Sequence, residues 1–154
     1  LAWKARDTAL NLLSFRARSA SELRLRLRRK EFPAEVVDSC VTSLIEKGLV
    51  DDSSFAESFV RDRVRLRPRG PTRLMQELRE KGVDGETAEA AVAEIMDGEG
   101  VSEVDLARAA AASWRRRSGE DRRKAGNRLY GFLGRRGFSG DAIRIVMEEV
   151  MNES

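Results

Sequence analysis

Apolar residues return along this chain at helical intervals, and the same set of intervals occurs three times. Phe32, Val83 and Phe138 mark equivalent points, 51 and 55 residues apart. Five positions before them stand Leu27, Leu78 and Leu133, and nine before stand Leu23, Leu74 and Leu129. After them the first copy continues with Val37, Cys40, Val41 and Leu44, the second with Ala88, Ala91, Val92 and Ile95, and the third with Ile143, Val146, Met147 and Val150. Steps of three, four and one place each set on one face of a helix, and repetition at a fixed period is the mark of a tandem architecture.

Punctuation divides each copy into three helices. The spacing predicts them near 3–17, 20–30 and 34–47, near 53–67, 71–81 and 85–97, and near 102–117, 120–136 and 140–151. Ser19-x-x-Glu22, Ser54-x-x-Glu57 and the weaker Ser102-x-x-Asp105 have the form of capping boxes, in which a hydroxyl and a carboxylate each satisfy an amide left free at a helix start. Gly70-Pro71 reads as an N-cap followed by proline at the first helical position, where the missing N–H costs nothing. Pro33 and Ser139 suit other helix starts. Gly82 and Gly137 stand where a left-handed residue would end a helix, and Glu31 holds that place in the first copy. Leu23-Arg24-Leu25-Arg26-Leu27-Arg28 alternates as a strand would. The capping box before it, and equivalents that do not alternate, assign it to helix, with Leu25 off the core stripe and towards a neighbouring unit. The expected fold is all-α: three tandem three-helix repeats over 1–50, 51–98 and 99–154 in an elongated, curved array, with Asp97-Gly98-Glu99-Gly100 the most linker-like stretch. A unit of about 50 residues has a small core and gains from its neighbours.

Composition narrows the chemistry. Of 154 residues, 36% are charged and 6% aromatic, and none is histidine. The commonest general base and metal ligand is therefore missing. Cys40 is the only cysteine, which excludes an intramolecular disulfide and a thiolate cage; it is expected as a buried structural thiol. Acid pairs such as Asp51-Asp52 and Glu148-Glu149 are neighbours that do not face each other on a helix, and Gly98-Glu99-Gly100 lacks the lysine of a phosphate loop. No catalytic residue, metal or cofactor is assigned. No apolar run approaches a bilayer span and no signal-peptide pattern opens the chain, so an intracellular, reducing compartment is expected; the start at Leu1 suggests a trimmed terminus. Net charge is only +3 but uneven: +6 over 16–30, +5 over 61–73 and +7 over 115–136, against −6 over 76–100.

Taken together, the motifs resemble a known family. Gly48-Leu49-Val50-Asp51-Asp52-x-x-Phe55-Ala56, with Phe59-Val60, Arg63, Gly70 and Glu77-Leu78-x-x-Lys81-Gly82-Val83, is similar to the central signature of RecX regulatory proteins. Arg16-x-Arg18-Ser19-x-x-Glu22-Leu23, with Leu27, Lys30 and Phe32, resembles the family's first repeat, and Phe132-Leu133-x-Arg135-Arg136-Gly137-Phe138-Ser139 its third. The resemblance implies a cytoplasmic bacterial modulator of RecA recombinase. Such a protein binds along the groove of the RecA filament on DNA, restrains ATP hydrolysis, strand exchange and filament growth, and catalyses nothing itself.

On either reading the basic residues carry the contacts. Arg16, Arg18, Arg63, Arg69 and Arg73 flank loops between first and second helices and lead the candidates for RecA or DNA contact. Arg24, Arg26, Arg28 and Arg29 follow, with Arg61, Arg65 and Arg67. Arg115, Arg116, Arg117, Arg122, Arg123 and Lys124 form the densest patch. The implied partners are the RecA filament and single- or double-stranded DNA bound without sequence preference, the protein being a monomer away from membranes. Two other readings keep the fold and change the partner: a non-specific nucleic-acid-binding protein acting without RecA, and a helical adaptor. Gln76 is the only glutamine and the asparagines are scattered, which disfavours a reader of base edges.

Overall fold

The computed structural model describes residues 1–152, which form nine α-helices and no strand among the described residues. They are α1 (Ala2–Phe15), α2 (Ala20–Arg29), α3 (Ala34–Glu46), α4 (Asp52–Leu66), α5 (Pro71–Glu80), α6 (Gly85–Glu99), α7 (Glu103–Ala111), α8 (Arg122–Arg135) and α9 (Gly140–Asn152). Every pair of helices in extensive contact lies inside one successive triplet. This is the tandem arrangement that the repeated spacing requires.

The helices start where their caps dictate. Both hydrogen bonds of the Ser19–Glu22 and Ser102–Asp105 boxes are formed, and the Ser139 hydroxyl accepts from the Ala142 amide. Gly70 and Pro71 open α5 as expected. Ser54 does not cap α4. Asp51 does, its carboxylate accepting from the amides of Ser53 and Ser54 at 2.9 and 3.3 Å; an Asp already in place one turn earlier takes the free amides first. Gly82 and Gly137 end their helices with φ of +82° and +86°, and Glu31 does the same at +69°, a conformation that costs a non-glycine residue about 1 kcal/mol. The Leu23–Arg28 stretch is helical. Leu25 is 50% exposed rather than packed on a neighbouring unit.

Leu23, Leu27, Leu74, Leu78, Leu129 and Leu133 are fully enclosed, each such burial stabilising by roughly 1.5–3 kcal/mol. The first triplet has its own core of nine buried residues, from Ala9 to Val50. Buried side chains of the second and third triplets instead join in one cluster from Phe55 to Val146. Cys40 is only half-buried beside that first core, and partial burial pushes its thiol pKa up.

Neighbouring triplets meet in the same way twice. The start of one middle helix abuts the glycine that ends the next one. At the first junction the Ser19 hydroxyl donates to the Lys81 carbonyl at 2.5 Å, and the Asp52 carboxylate accepts from the Ala20 amide at 2.8 Å. At the second, Gly70, the counterpart of Ser19, donates its amide to the Arg136 carbonyl at 2.7 Å. A side chain on Gly82 would collide with Ser21, and one on Gly137 with Arg73, so these glycines serve both the turn and the close approach.

The third triplet departs from expectation. The helix anticipated over 102–117 ends at Ala111, and residues 112–121 form a loop. Glu120 holds that loop: it accepts from the Arg117 amide at 2.9 Å and from Arg128 at 2.9 and 3.0 Å. Arg128 also lies 4.7 Å from the Trp114 ring, which packs half-buried against the core as its equivalence to Phe59 leads one to expect. The Arg128 hydrogen bonds, then the Arg117 amide, lower the Glu120 pKa to about 2, against about 4.3 for a free glutamate. A carboxylate with a depressed folded pKa stabilises above its unfolded pKa and loses that contribution as pH falls towards the folded one. Trp114 fluorescence, read in a Trp3→Phe background, is therefore expected to change between about pH 4 and pH 2. Glu120→Gln should show the acid-like signal already at pH 7. A flat wild-type profile, or a Gln variant matching wild type at pH 7, would contradict this.

Candidate anion-binding seam across the triplet junctions

The leading arginines gather at the two junctions, each around one carboxylate. Beyond α1 the chain turns sharply, and Arg18 folds inward to donate from Nε to the Leu12 carbonyl at 3.3 Å. It is 8% exposed, and burial, with Arg16 and Arg26 adding, lowers its pKa. Arg18 thus satisfies a helix-end carbonyl; its guanidinium is not a surface contact. Glu22, after capping its own helix, receives Arg16 at 3.1 Å and, across the junction, Lys81 at 3.4 Å. Burial opposes ionisation of Glu22, but the bonds from Arg16 and Ser19 and the Lys81 charge outweigh it, and its pKa falls.

The second junction is more heavily charged. Arg63 from α4, Arg69 from the α4–α5 loop and Arg73 from α5 all converge on Glu77, at 3.3, 2.9 and 3.2 Å. The Glu77 side chain is 13% exposed and that of Arg69 18%. Arg69 Nε is enclosed without a hydrogen-bond partner among the described residues. Its pKa is lowered, first by burial, and Arg63, Arg73 and Arg136 push the same way. Arg136 comes from the third triplet and lies over the Phe132 ring at 4.8 Å, as Arg63 lies over Phe59 at 4.3 Å. A cleft of about 280 Å³ lined by Arg16, Phe55, Phe59, Asp62, Arg63 and Lys81 sets Arg63 of the second junction beside Arg16 and Lys81 of the first. Together the two junctions form a seam with cations from all three triplets, in which Glu22 and Glu77 are outnumbered.

Other candidates lie elsewhere. Arg24 pairs loosely with Asp38 at 3.8 Å, and Arg26, Arg28 and Arg29 are exposed along α2. Arg61 and Arg65 occupy another face of α4 beside Glu94 and Glu99, with Arg65 2.6 Å from Glu99. Arg67 is exposed at the end of α4. Arg115, Arg116, Arg117, Arg122, Arg123 and Lys124 are exposed on and beside the 112–121 loop. There Arg115 donates to the Ala112 carbonyl at 2.5 Å and Arg116 to that of Glu120 at 3.1 Å. The organising residues Glu22, Glu77, Lys81 and Arg136 were not among the sequence candidates. The Ser19-x-x-Glu22 box and the Arg73/Glu77 and Glu77/Lys81 spacings of four are local signals for three of them, and Arg136 has none. No helix among the described residues is long and apolar enough to cross a membrane.

Comparison with known proteins agrees with this architecture. Models of the first, second and third three-helix domains of RecX match residues 5–44, 51–92 and 102–147. A regulatory protein RecX from Amycolatopsis mediterranei is 41% identical, covering 96% of this chain and 83% of that protein. One from Chlorobium phaeobacteroides is 35% identical over 96% and 93%. The crystal structure of RecX from Lactobacillus salivarius superposes with a TM-score of 0.82 at 27% identity, covering 99% of this chain and 97% of that one. Three domain matches in order, relatives aligned over nearly the whole chain and the shared three-triplet fold place this protein in the RecX family of regulatory proteins, not among enzymes.

Proposed function

We propose that the protein binds the RecA filament on DNA, lying along its groove, and restrains ATP turnover, strand exchange and filament growth. The observation that carries this reading is the seam, which offers cations from three successive triplets of one chain to a partner that repeats. A tandem array meets a helical polymer at several points, and linked contacts raise the effective concentration of each next one. Bridging adjacent protomers hinders the relative motion that ATP turnover requires. The basic residues meet acidic protein surface, DNA phosphates or both, and phosphate contacts make binding fall steeply with salt.

The test is RecA ATPase and strand exchange titrated with the full chain. Wild type should inhibit both. Arg63→Glu/Arg73→Glu should need at least about tenfold more protein, the loss of two charge-assisted contacts at roughly 1 kcal/mol or more each. Wild type that leaves both activities unchanged at excess over filament would sink the proposal. Anisotropy of labelled single-stranded DNA with and without RecA separates it from nucleic-acid binding alone: much tighter binding with RecA than without supports the filament modulator, and equal binding in both supports the other.

A further inference from the structure

We infer that the second junction is a phosphoryl-binding site in which Glu77 is a resident counter-ion competing with a nucleic-acid phosphate for Arg63, Arg69, Arg73 and Arg136. A structural ion pair needs one cation per carboxylate. Here three guanidiniums contact one carboxylate, and the Arg136 carbonyl, accepting from the Gly70 amide at 2.7 Å, brings a fourth arginine to the same junction. The first junction differs: Glu22 has only Arg16 and Lys81, and Arg18 is tied to backbone. The second junction therefore carries the larger surplus, three guanidiniums on one carboxylate against two cations at the first.

Three observations point to an oxyanion as the missing partner. Arg63 and Arg73 each reach Glu77 through Nε, and among the described residues their terminal Nη groups find no hydrogen-bond acceptor. Arg69 Nε is a donor without an acceptor among the described residues. Phe59 and Phe132 lie against the Arg63 and Arg136 guanidiniums, fixing their planes before any ligand arrives. Oriented guanidiniums with unused N–H groups match the tetrahedral, multiply accepting phosphoryl group better than a second carboxylate. Because Arg136 belongs to the third triplet and the others to the second, a bound phosphate would also brace the two against each other.

The inference rests on the proposed function only for the source of the phosphate, a DNA backbone rather than a free polyphosphate. Anisotropy of a fluorescent oligothymidylate with the full chain, without RecA, reads the first, and thermal unfolding with tripolyphosphate reads the second. Arg73→Gln/Arg136→Gln should weaken oligothymidylate binding about tenfold and make the log–log salt slope shallower by roughly 0.7 per phosphate lost. Glu77→Gln should tighten binding several-fold, an outcome that a merely structural Glu77 would not give. Arg144→Gln, at an exposed position of α9, should match wild type. Should oligothymidylate binding stay unmoved while tripolyphosphate stabilises wild type and not the double variant, the site stands with a free polyphosphate as ligand. Folded Glu77→Gln that binds both probes no better than wild type would overturn the inference, as would a double variant that binds both equally well; Arg136→Gln alone covers the case in which the double variant fails to fold. Loss of RecA inhibition plays no part in these readouts, so the proposed function can fail while this site stands.

Discussion

Alanine at Gly137 is expected to cost about 2–5 kcal/mol of stability, mostly through the contact between the second and third triplets. Two effects add. Gly137 has φ +86°, where a Cβ costs roughly 1–2 kcal/mol. Its new methyl would also collide with the backbone of Arg73, 2.8 Å from Cα, and overpacking typically costs 1–3 kcal/mol. Gly48 supplies the control: its φ is +74°, yet nothing lies within 4 Å of an added Cβ, so Gly48→Ala should show the strain alone, about 1 kcal/mol. Gly70→Ala isolates the collision, since Gly70 has φ −76° and its methyl would come 2.7 Å from the Phe138 amide nitrogen. Urea denaturation of the three variants measures each part. A Gly137→Ala loss no larger than that of Gly48→Ala would mean that the junction yields at no cost.

The repeat could be read from the sequence because its determinants are local. Leu74 and Leu78 declare a helix face by their own spacing, and Ser19 and Glu22 are close enough in the chain for their capping box to be seen. Reading failed where a residue's partner is set by tertiary register. Glu77 is fourteen residues beyond Arg63 and fifty-nine before Arg136; nothing in either neighbourhood announces that Arg63 pairs with Glu77 or that Arg136 comes to the same junction. Arg18 and Arg16 look alike as letters, yet one turns to the Leu12 carbonyl and the other to Glu22. Arg61, Arg63 and Arg65 alternate in sequence, so the helix sends them to different faces and a single basic block divides between the seam and α6. The early end of α7 had a similar cause: Arg128 lies eight residues beyond Glu120 and closes the loop from the next helix.

Leu27→Ala and Leu78→Ala occupy equivalent, fully enclosed positions and should each cost about 2–5 kcal/mol, yet with different reach. Leu27 belongs to the nine-residue core of the first triplet. That core meets the rest of the chain through polar ties: Ser19 to the Lys81 carbonyl, the Ala20 amide to Asp52, and Glu22 to Lys81. Leu78 lies in the cluster shared by the second and third triplets, where removing volume from one loosens both. Native-state hydrogen exchange, which resolves regional opening, should show Leu27→Ala losing protection across α1–α3 while α4–α9 keep theirs. Leu78→Ala should lose protection across α4–α9 together. Uniform loss in both variants would mean one cooperative unit and remove the distinction. If the distinction holds, the first triplet can open and redock while the other two stay rigid, and a seam crossing both junctions has one fixed half and one adjustable half. A partner whose successive subunits are not spaced identically could then be followed by moving Arg16 and Glu22 relative to the fixed cluster around Glu77.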